Sequence, residues 1–267
     1  MNKYLGDFTV THVELKESSA GSPYIKINVS GPEGNEDAYC YYKIDEHLQL
    51  LSKYETVSID GYRKPSGSST LISVSSIRKN LNDLYHEYSD KYFKIIKHIT
   101  KPECRDLFMH ISDEHDIMHS FMSVPASLKE HHAYICGLMV HTVDAMEMGV
   151  KLSKSPNLKN EIDKSTLVLG LFLHDIGKTL CYTVDGFDLG MTDRCVTIGH
   201  VSLGYELLLR KCYSFGRFPI ELRDKLANII LSHHNNSRVK PNSVEAKIVR
   251  HIDSLSAGLG SMEVCYG

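Results

Sequence analysis

The sequence predicts an α+β chain of more than one domain, a small β-barrel followed by an all-α bundle. Three observations predict it. Hydrophobic residues recur with period two from Leu5 to Lys79 and with helical period beyond. Turn residues break the first part into short runs and the second into long ones. Most of the fifteen histidines fall after residue 109, so the two parts also differ in chemistry. The 267 residues suffice for one large domain or two small ones, and 42% hydrophobic with 24% charged content is ordinary for a soluble globular protein. A net charge of -3 gives no global basic field, so any nucleic-acid contact must be local.

In order along the chain, "FTVTHVELKE" alternates, and "SAGSPYIKINVSG" places a Gly-Ser-Pro turn before Tyr24, Ile25, Ile27 and Val29. "EDAYCYYKI" is a third run, rich in aromatics. "EHLQLLSKY" breaks the alternation and predicts a short helix, after which "TVSIDGYRK" and "STLISVSSIRK" resume it. Five strands with a helix between the third and fourth is the order of an OB-fold, a partly open Greek-key barrel. Another small barrel or sandwich fits the same pattern. "NDLYHEYSDKYFKIIKHIT" then reads as a connector helix. The expected domains are therefore 1–80, a connector over 81–110, and 111–267. Beyond Pro102 the spacing predicts helices over 103–112, 114–122, 126–153, 161–178, 197–212, 219–233 and 243–258, with "YTVDGFDLG" as an exposed hairpin or loop.

Seven cysteines, an odd number without a CxxC pair, argue against a disulfide framework or zinc ribbon and for a reducing compartment. The opening "MNKYLGDFTV" holds no apolar signal core, and no apolar run approaches the roughly 20 residues of a membrane span. The expectation is a soluble, cytoplasmic protein with no membrane partner.

Candidate ligands recur in the helical half: His141 in "GLMVHTVDA", His174 and Asp175 in "LHDIGK", His200 in "IGHVSLG", His233 and His234 in "LSHHN", and Asp253 in "VRHIDSLSA". Several of these residues follow or interrupt an apolar run, where an unpartnered imidazole or carboxylate costs several kcal/mol. One such histidine is more often a hydrogen-bonded core residue. Recurrence, and above all the adjacent His174 and Asp175, favours a shared metal ion at the centre of the bundle. Imidazole with carboxylate suits Mn, Fe, Co, Ni or Zn better than Ca. Lys178 lies three residues past Asp175, on the same helical face, where the bland reading is a surface lysine favoured by the helix dipole.

The series His141, His174–Asp175, Asp253 resembles the signature of the HD-domain phosphohydrolase superfamily. That resemblance implies an all-α HD bundle holding one or two divalent transition-metal ions, and the additional His200, His233 and His234 resemble members with a second metal, in which Asp175 would bridge the two. A metal pair is a familiar device for phosphoester hydrolysis and needs no protein nucleophile. The blocks "HHAYICGLMVHTV", "GLFLHDIGKT", "TIGHVSLGYELL", "LSHHN" and "AKIVRHIDSLSAGL" are similar to those of the YhaM-type 3′–5′ exoribonuclease family, which joins an N-terminal OB-fold to an HD domain. The resemblance covers nearly the whole chain, and its HD blocks are more specific than its OB segment. It departs at Asn235, where the family often has Gly.

The resemblance implies metal-dependent release of nucleoside monophosphates from the 3′ end of single-stranded RNA, or of some single-stranded DNA, with Mn or Co as plausible metals and a homo-oligomeric assembly. Asp175 and Lys178 would be catalytic, with Lys178 also a contact to the substrate phosphate. His131 and His132, in the "HHA" block, would contact phosphate or a carboxylate behind a ligand, or merely start a helix. On the barrel, Tyr24, Tyr39, Tyr41, Tyr42 and Tyr62 are candidates for base stacking, and Lys26, Arg63 and Lys64 for phosphates. Strand alternation puts Tyr39 and Tyr41 on one face and Tyr42 on the other, so some tyrosines must be core. Nine Lys and Arg against ten Asp and Glu over residues 1–80 weaken the case for tight nonspecific binding. Two alternatives stand beside the exoribonuclease: an HD nucleotidase or deoxynucleotide phosphohydrolase whose barrel serves assembly, and a non-catalytic nucleic-acid-binding protein.

Overall fold

The computed structural model describes residues 3–31, 34–53, 56–66, 69–128, 132–158, 160–185 and 188–265, in two compact units that run to His86 and over Glu87–Cys265. The N-terminal unit carries β1 (Lys3–Glu17), β2 (Pro23–Gly31), β3 (Gly34–Cys40), α1 (Ile44–Lys53), β4 (Thr56–Ser66) and β5 (Ser69–Lys79). The strands close a barrel in the order β1-β2-β3-β5-β4, with β4 returning to β1. All pairs are antiparallel except β3 with β5. This OB-like topology follows from the period-two pattern. Ile25, Ile27 and Val29 point inward with Ala38, Cys40, Val57, Ile59 and Ile72, while Tyr24, Lys26 and Asn28 face outward. Leu51, Leu48 and Ile44 of α1 pack against this core.

The second unit begins within α2 (Leu81–Ile95) and continues through α3 (Pro102–Ser112), α4 (His115–Ser123), α5 (Gly137–Leu152), α6 (Lys164–Leu173), a hairpin of β6 (Tyr182–Asp185) and β7 (Asp188–Met191), α7 (Asp193–Ser214), α8 (Ile220–Ser232) and α9 (Val244–Cys265). Helix α6 is the axis of the bundle. Its sequence "KSTLVLGLFL" is apolar on every side, and it packs against α3, α5, α8 and α9. Among the described residues no helix is long and apolar enough to cross a membrane.

Three expectations change. The helix expected over 126–153 starts only at Gly137, because Cys136 turns left-handed (φ +68) and the chain before it is held by the Ala126 amide donating to the His132 carbonyl. The helix expected over 161–178 is shorter. Asp163 caps its start by accepting from the Thr166 amide, and it ends at Leu173, followed by a 3₁₀ turn over Ile176–Leu180. Cys181 and Cys195 are joined by a disulfide, although the cysteine count argues for a reducing compartment. The β6–β7 hairpin folds the intervening chain back on itself and brings together two cysteines whose spacing carries no motif. This pairing removes the cysteine argument for a reducing compartment. Cys40, Cys104, Cys136 and Cys212 are free and buried.

Candidate metal centre

Two helix ends, one helix kink and two helix interiors build the site. His141 lies inside α5 and is fully buried. His174 closes α6 as its capping residue, and Asp175 follows with φ -110 and ψ 8, outside the helix. The helix therefore ends at this pair, which lets adjacent side chains converge instead of diverging by the ~100° of a continuing helix. His200 follows a kink in α7 at Gly199, whose φ of +74 suits glycine. His233 caps α8 with His234 next in line, and Asp253 projects from α9.

These side chains fall into two groups, His141 with His174, Asp175 and Asp253, and His200 with His233 and His234. In each, candidate donor atoms lie within 4.8 Å of one another. In the first group, His141 Nε2 is 3.2 Å from His174 Nε2, 3.4 Å from Asp175 Oδ2 and 3.5 Å from Asp253 Oδ1. In the second, His200 Nε2 is 3.0 Å from His234 Nε2. The two aspartates join the groups. Asp175 Oδ2 faces His141 and His174, while its Oδ1 lies 3.5 Å from His200 Nε2 and 3.6 Å from His233 Nε2. Asp253 turns Oδ1 to the first group and Oδ2 to His234 Nδ1 at 3.5 Å.

The donor set fits a divalent cation. His233 directs Nδ1 to the Ile230 carbonyl at 2.7 Å, and His174 directs its own to the Leu171 carbonyl at 2.7 Å. A carbonyl only accepts, so both rings carry the Nδ1 proton and present a lone pair at Nε2. His233 Nε2 and Asp175 Oδ1 are both buried without a hydrogen-bond partner and face each other. Two buried lone pairs aimed at one space repel, and each unsatisfied group costs ~1–3 kcal/mol. A cation bound by both removes both penalties. On the other nitrogen of His141, Nδ1 lies 3.1 Å from the Ser256 hydroxyl, a contact that a search for ionisable residues overlooks. Its signal is position, one helical turn beyond Asp253.

The electrostatics agree. Burial pushes His174 down to about 4 and His200 down to about 3, so both rings stay neutral donors. Burial favours the neutral acid in Asp175 and Asp253. The cationic Lys178 and the imidazoles around Asp175 outweigh it there, and bonds from His141 and His234 do so at Asp253, leaving both below the usual carboxylate range. Burial also opposes charge on Lys178 and His141, yet Asp175 raises Lys178 above an ordinary lysine, and bonds to Asp175 and Asp253 raise His141. Lys178 is buried, not a surface lysine, and donates to Asp175 Oδ2 at 2.6 Å. It sits in the 3₁₀ turn rather than on α6, where residues three apart eclipse.

The other expected residues divide. His132 reaches this site. Its ring centroid is 5.7 Å from that of His141, its Nδ1 is 2.9 Å from the Tyr134 hydroxyl, and its φ is +52. His131 lies outside the described residues. On the barrel, Tyr24 stacks on Tyr41 at 5.3 Å and tilts against Tyr39 at 6.2 Å, with Tyr41 60% exposed. Tyr42 packs against the core, on the opposite face, and Tyr62 and Lys64 are partly buried on β4. Lys26 pairs with Asp37 at 2.8 Å, and Arg63 with Glu36 at 2.8 Å.

Residues 138–258 match the family model of the HD domain, which supports the HD-domain phosphohydrolase superfamily and points to a metal-dependent phosphohydrolase. The crystal structure of a small single-stranded DNA binding protein from Mycoplasma pneumoniae is similar at 18% identity and a TM-score of 0.22, over 29% of this chain and 91% of that one.

Proposed function

We propose that this HD-domain chain is a metal-dependent 3′–5′ exoribonuclease that removes nucleoside monophosphates from single-stranded RNA, with single-stranded DNA as a second substrate. One observation carries the hydrolytic part: the two oxygens of Asp175 face two different sets of histidines. A carboxylate so placed suits the bridge between two divalent cations. His141, His174, Asp175 and Asp253 would hold one, and His200, His233 and His234 with Asp175 the other. Bound there, such ions supply an activated water and neutralise phosphate charge. Mn, Co, Fe, Ni and Zn all suit these donors.

The chain's own residues do the rest. Lys178, charged and buried beside Asp175, offers a fixed cation to the scissile phosphate. His132, with its proton economy tied to Tyr134, stands at the edge of the His141 group as a substrate contact. The apolar run Leu171, Phe172 and Leu173 is buried and keeps water from competing for the ligands. The polymer substrate rests on the barrel, where exposed Tyr41 with Tyr24 presents an aromatic platform on the β2–β3 face that OB-folds use for bases.

A second reading, a phosphohydrolase of small nucleotides, draws on one observation. The two best-placed barrel cations, Lys26 and Arg63, are already neutralised by Asp37 and Glu36. Incubation with Mn²⁺ and 5′-labelled single-stranded RNA, matching DNA and a nucleotide panel decides between them. The expected result is a ladder shortening from the 3′ end of RNA. Phosphate release from mononucleotides with intact RNA overturns the exoribonuclease and leaves the second reading.

A further inference from the structure

The imidazoles of the site are oriented by different means. His174 and His233 are locked by carbonyls of their own helices, Leu171 and Ile230, each three residues back. No side-chain substitution removes those locks. His141 lies in the middle of α5, where the helix uses its own carbonyls, and its Nδ1 meets a side chain from another helix, the Ser256 hydroxyl at 3.1 Å. Ser256 is 6% exposed and lies three residues beyond Asp253, so one face of α9 delivers both a carboxylate and a hydroxyl to the same ring.

We infer that Ser256 is a positioning residue for the metal centre. It accepts the Nδ1 proton of His141 and so holds the ring with its Nε2 lone pair aimed at the space shared with His174 Nε2, Asp175 Oδ2 and Asp253 Oδ1. The chemistry requires one such acceptor. A neutral imidazole ligates through one nitrogen only if the other keeps the proton, and the group that takes that proton sets both tautomer and ring angle. Three of the neighbours of His141 Nε2 are acceptors, so without a hydroxyl on the far side the proton is drawn to Nε2, where it blocks ligation. Ser256 opposes that pull from a buried site where no solvent replaces it. The inference rests on the metal reading of the cluster and does not depend on which phosphoester is cleaved.

The test uses the full chain freed of metal and titrated with Co²⁺, whose visible absorption reports nitrogen ligation. Ser256→Ala is expected to weaken Co²⁺ binding by about 10–100-fold, and Ser256→Thr to restore it. Ser256→Val, matched to Thr in shape but without the hydroxyl, is expected to behave like Ser256→Ala. The Thr and Val pair decides the matter even if Ser256→Ala folds poorly. In the zinc-loaded protein, ¹⁵N-imidazole spectra are expected to show a protected Nδ1 proton on His141 in the wild type and in Ser256→Thr, and its loss in Ser256→Val. Equal Co²⁺ affinity and spectra in Thr and Val overturn the inference. If Asp175→Asn abolishes Co²⁺ binding while Ser256→Val leaves it intact, only the role of Ser256 falls. If the wild type binds no Co²⁺, the metal reading falls and this inference with it.

Discussion

The outer face of the barrel and the pocket of the bundle treat charge in opposite ways. On the barrel, Lys26 sits against Asp37 and Arg63 against Glu36, and the surface is electrically settled. In the bundle, two carboxylates and five imidazoles converge, and Lys178 is the only lysine in contact with them among the described residues. A cluster suited to a cation shows an imbalance, here the unpartnered acceptors His233 Nε2 and Asp175 Oδ1 turned toward each other. A surface that binds by stacking leaves no such imbalance and must be recognised by shape and exposure.

The contrast breaks most sharply at Asp175. Asp175→Ala is expected to reduce bound metal and hydrolysis together to background, while RNA binding to the barrel persists; metal analysis beside a binding titration checks it. Full hydrolysis in that variant would remove the site assignment altogether. Next comes Gly177. A Cβ there runs into the His200 carbonyl and the Gly204 amide, where the 3₁₀ turn lies directly on α7. Gly177→Ala is expected to destabilise the bundle by about 1–3 kcal/mol, as overpacking does, and to weaken metal binding through His200; thermal unfolding with and without Mn²⁺ measures both. On the barrel, Tyr41→Ala is expected to cost about 1–3 kcal/mol in single-stranded RNA binding, the worth of one stacked base, with metal content unchanged. Unaltered affinity would show that the Tyr24–Tyr41 pair is not the platform.

The smallest expected effect concerns His47, which is buried beneath the barrel with its Nδ1 near Cys40 Sγ and the Tyr42 carbonyl. Burial holds its pKa below the ordinary 6.5. The folded state therefore binds its proton less readily than the unfolded chain. Stability is full above the unfolded value and declines as pH falls below about 6.5. Unfolding of the protein between pH 7.5 and 5 is expected to show this decline, and His47→Gln to flatten it.

Much of this was legible in the sequence, for different reasons in the two units. Alternation in Ile25, Ile27 and Val29 encodes a strand face directly, and the placement of α1 between the third and fourth strands encodes the topology. The buried cluster was legible because burying His141 or Asp175 makes no sense singly. The end of α6 was not. Nothing in "GLFLHDIGKTL" marks Leu173 as the last helical residue, since Ile176 and Leu180 continue an apolar pattern and the stop is imposed by packing on α7 at Gly177. The start of α5 was hidden likewise, because the left-handed turn at Cys136 is a tertiary contact and not a propensity. The pairing of Cys181 with Cys195 depends on a hairpin that brings them together, and no spacing rule carries it. Ser256 escaped because a serine inside a helix is unremarked until the ring behind it is seen.

That disulfide has a consequence for the integrity of the chain. The β6–β7 hairpin, flanked by Cys181 and Cys195, is the exposed excursion between the "HDIGK" turn and the helix that carries His200. A protease that cuts within it severs the peptide yet leaves both fragments tied beside the clustered histidines and aspartates they supply. The nicked protein would migrate as one species until a reductant is added, with its histidines still held in register.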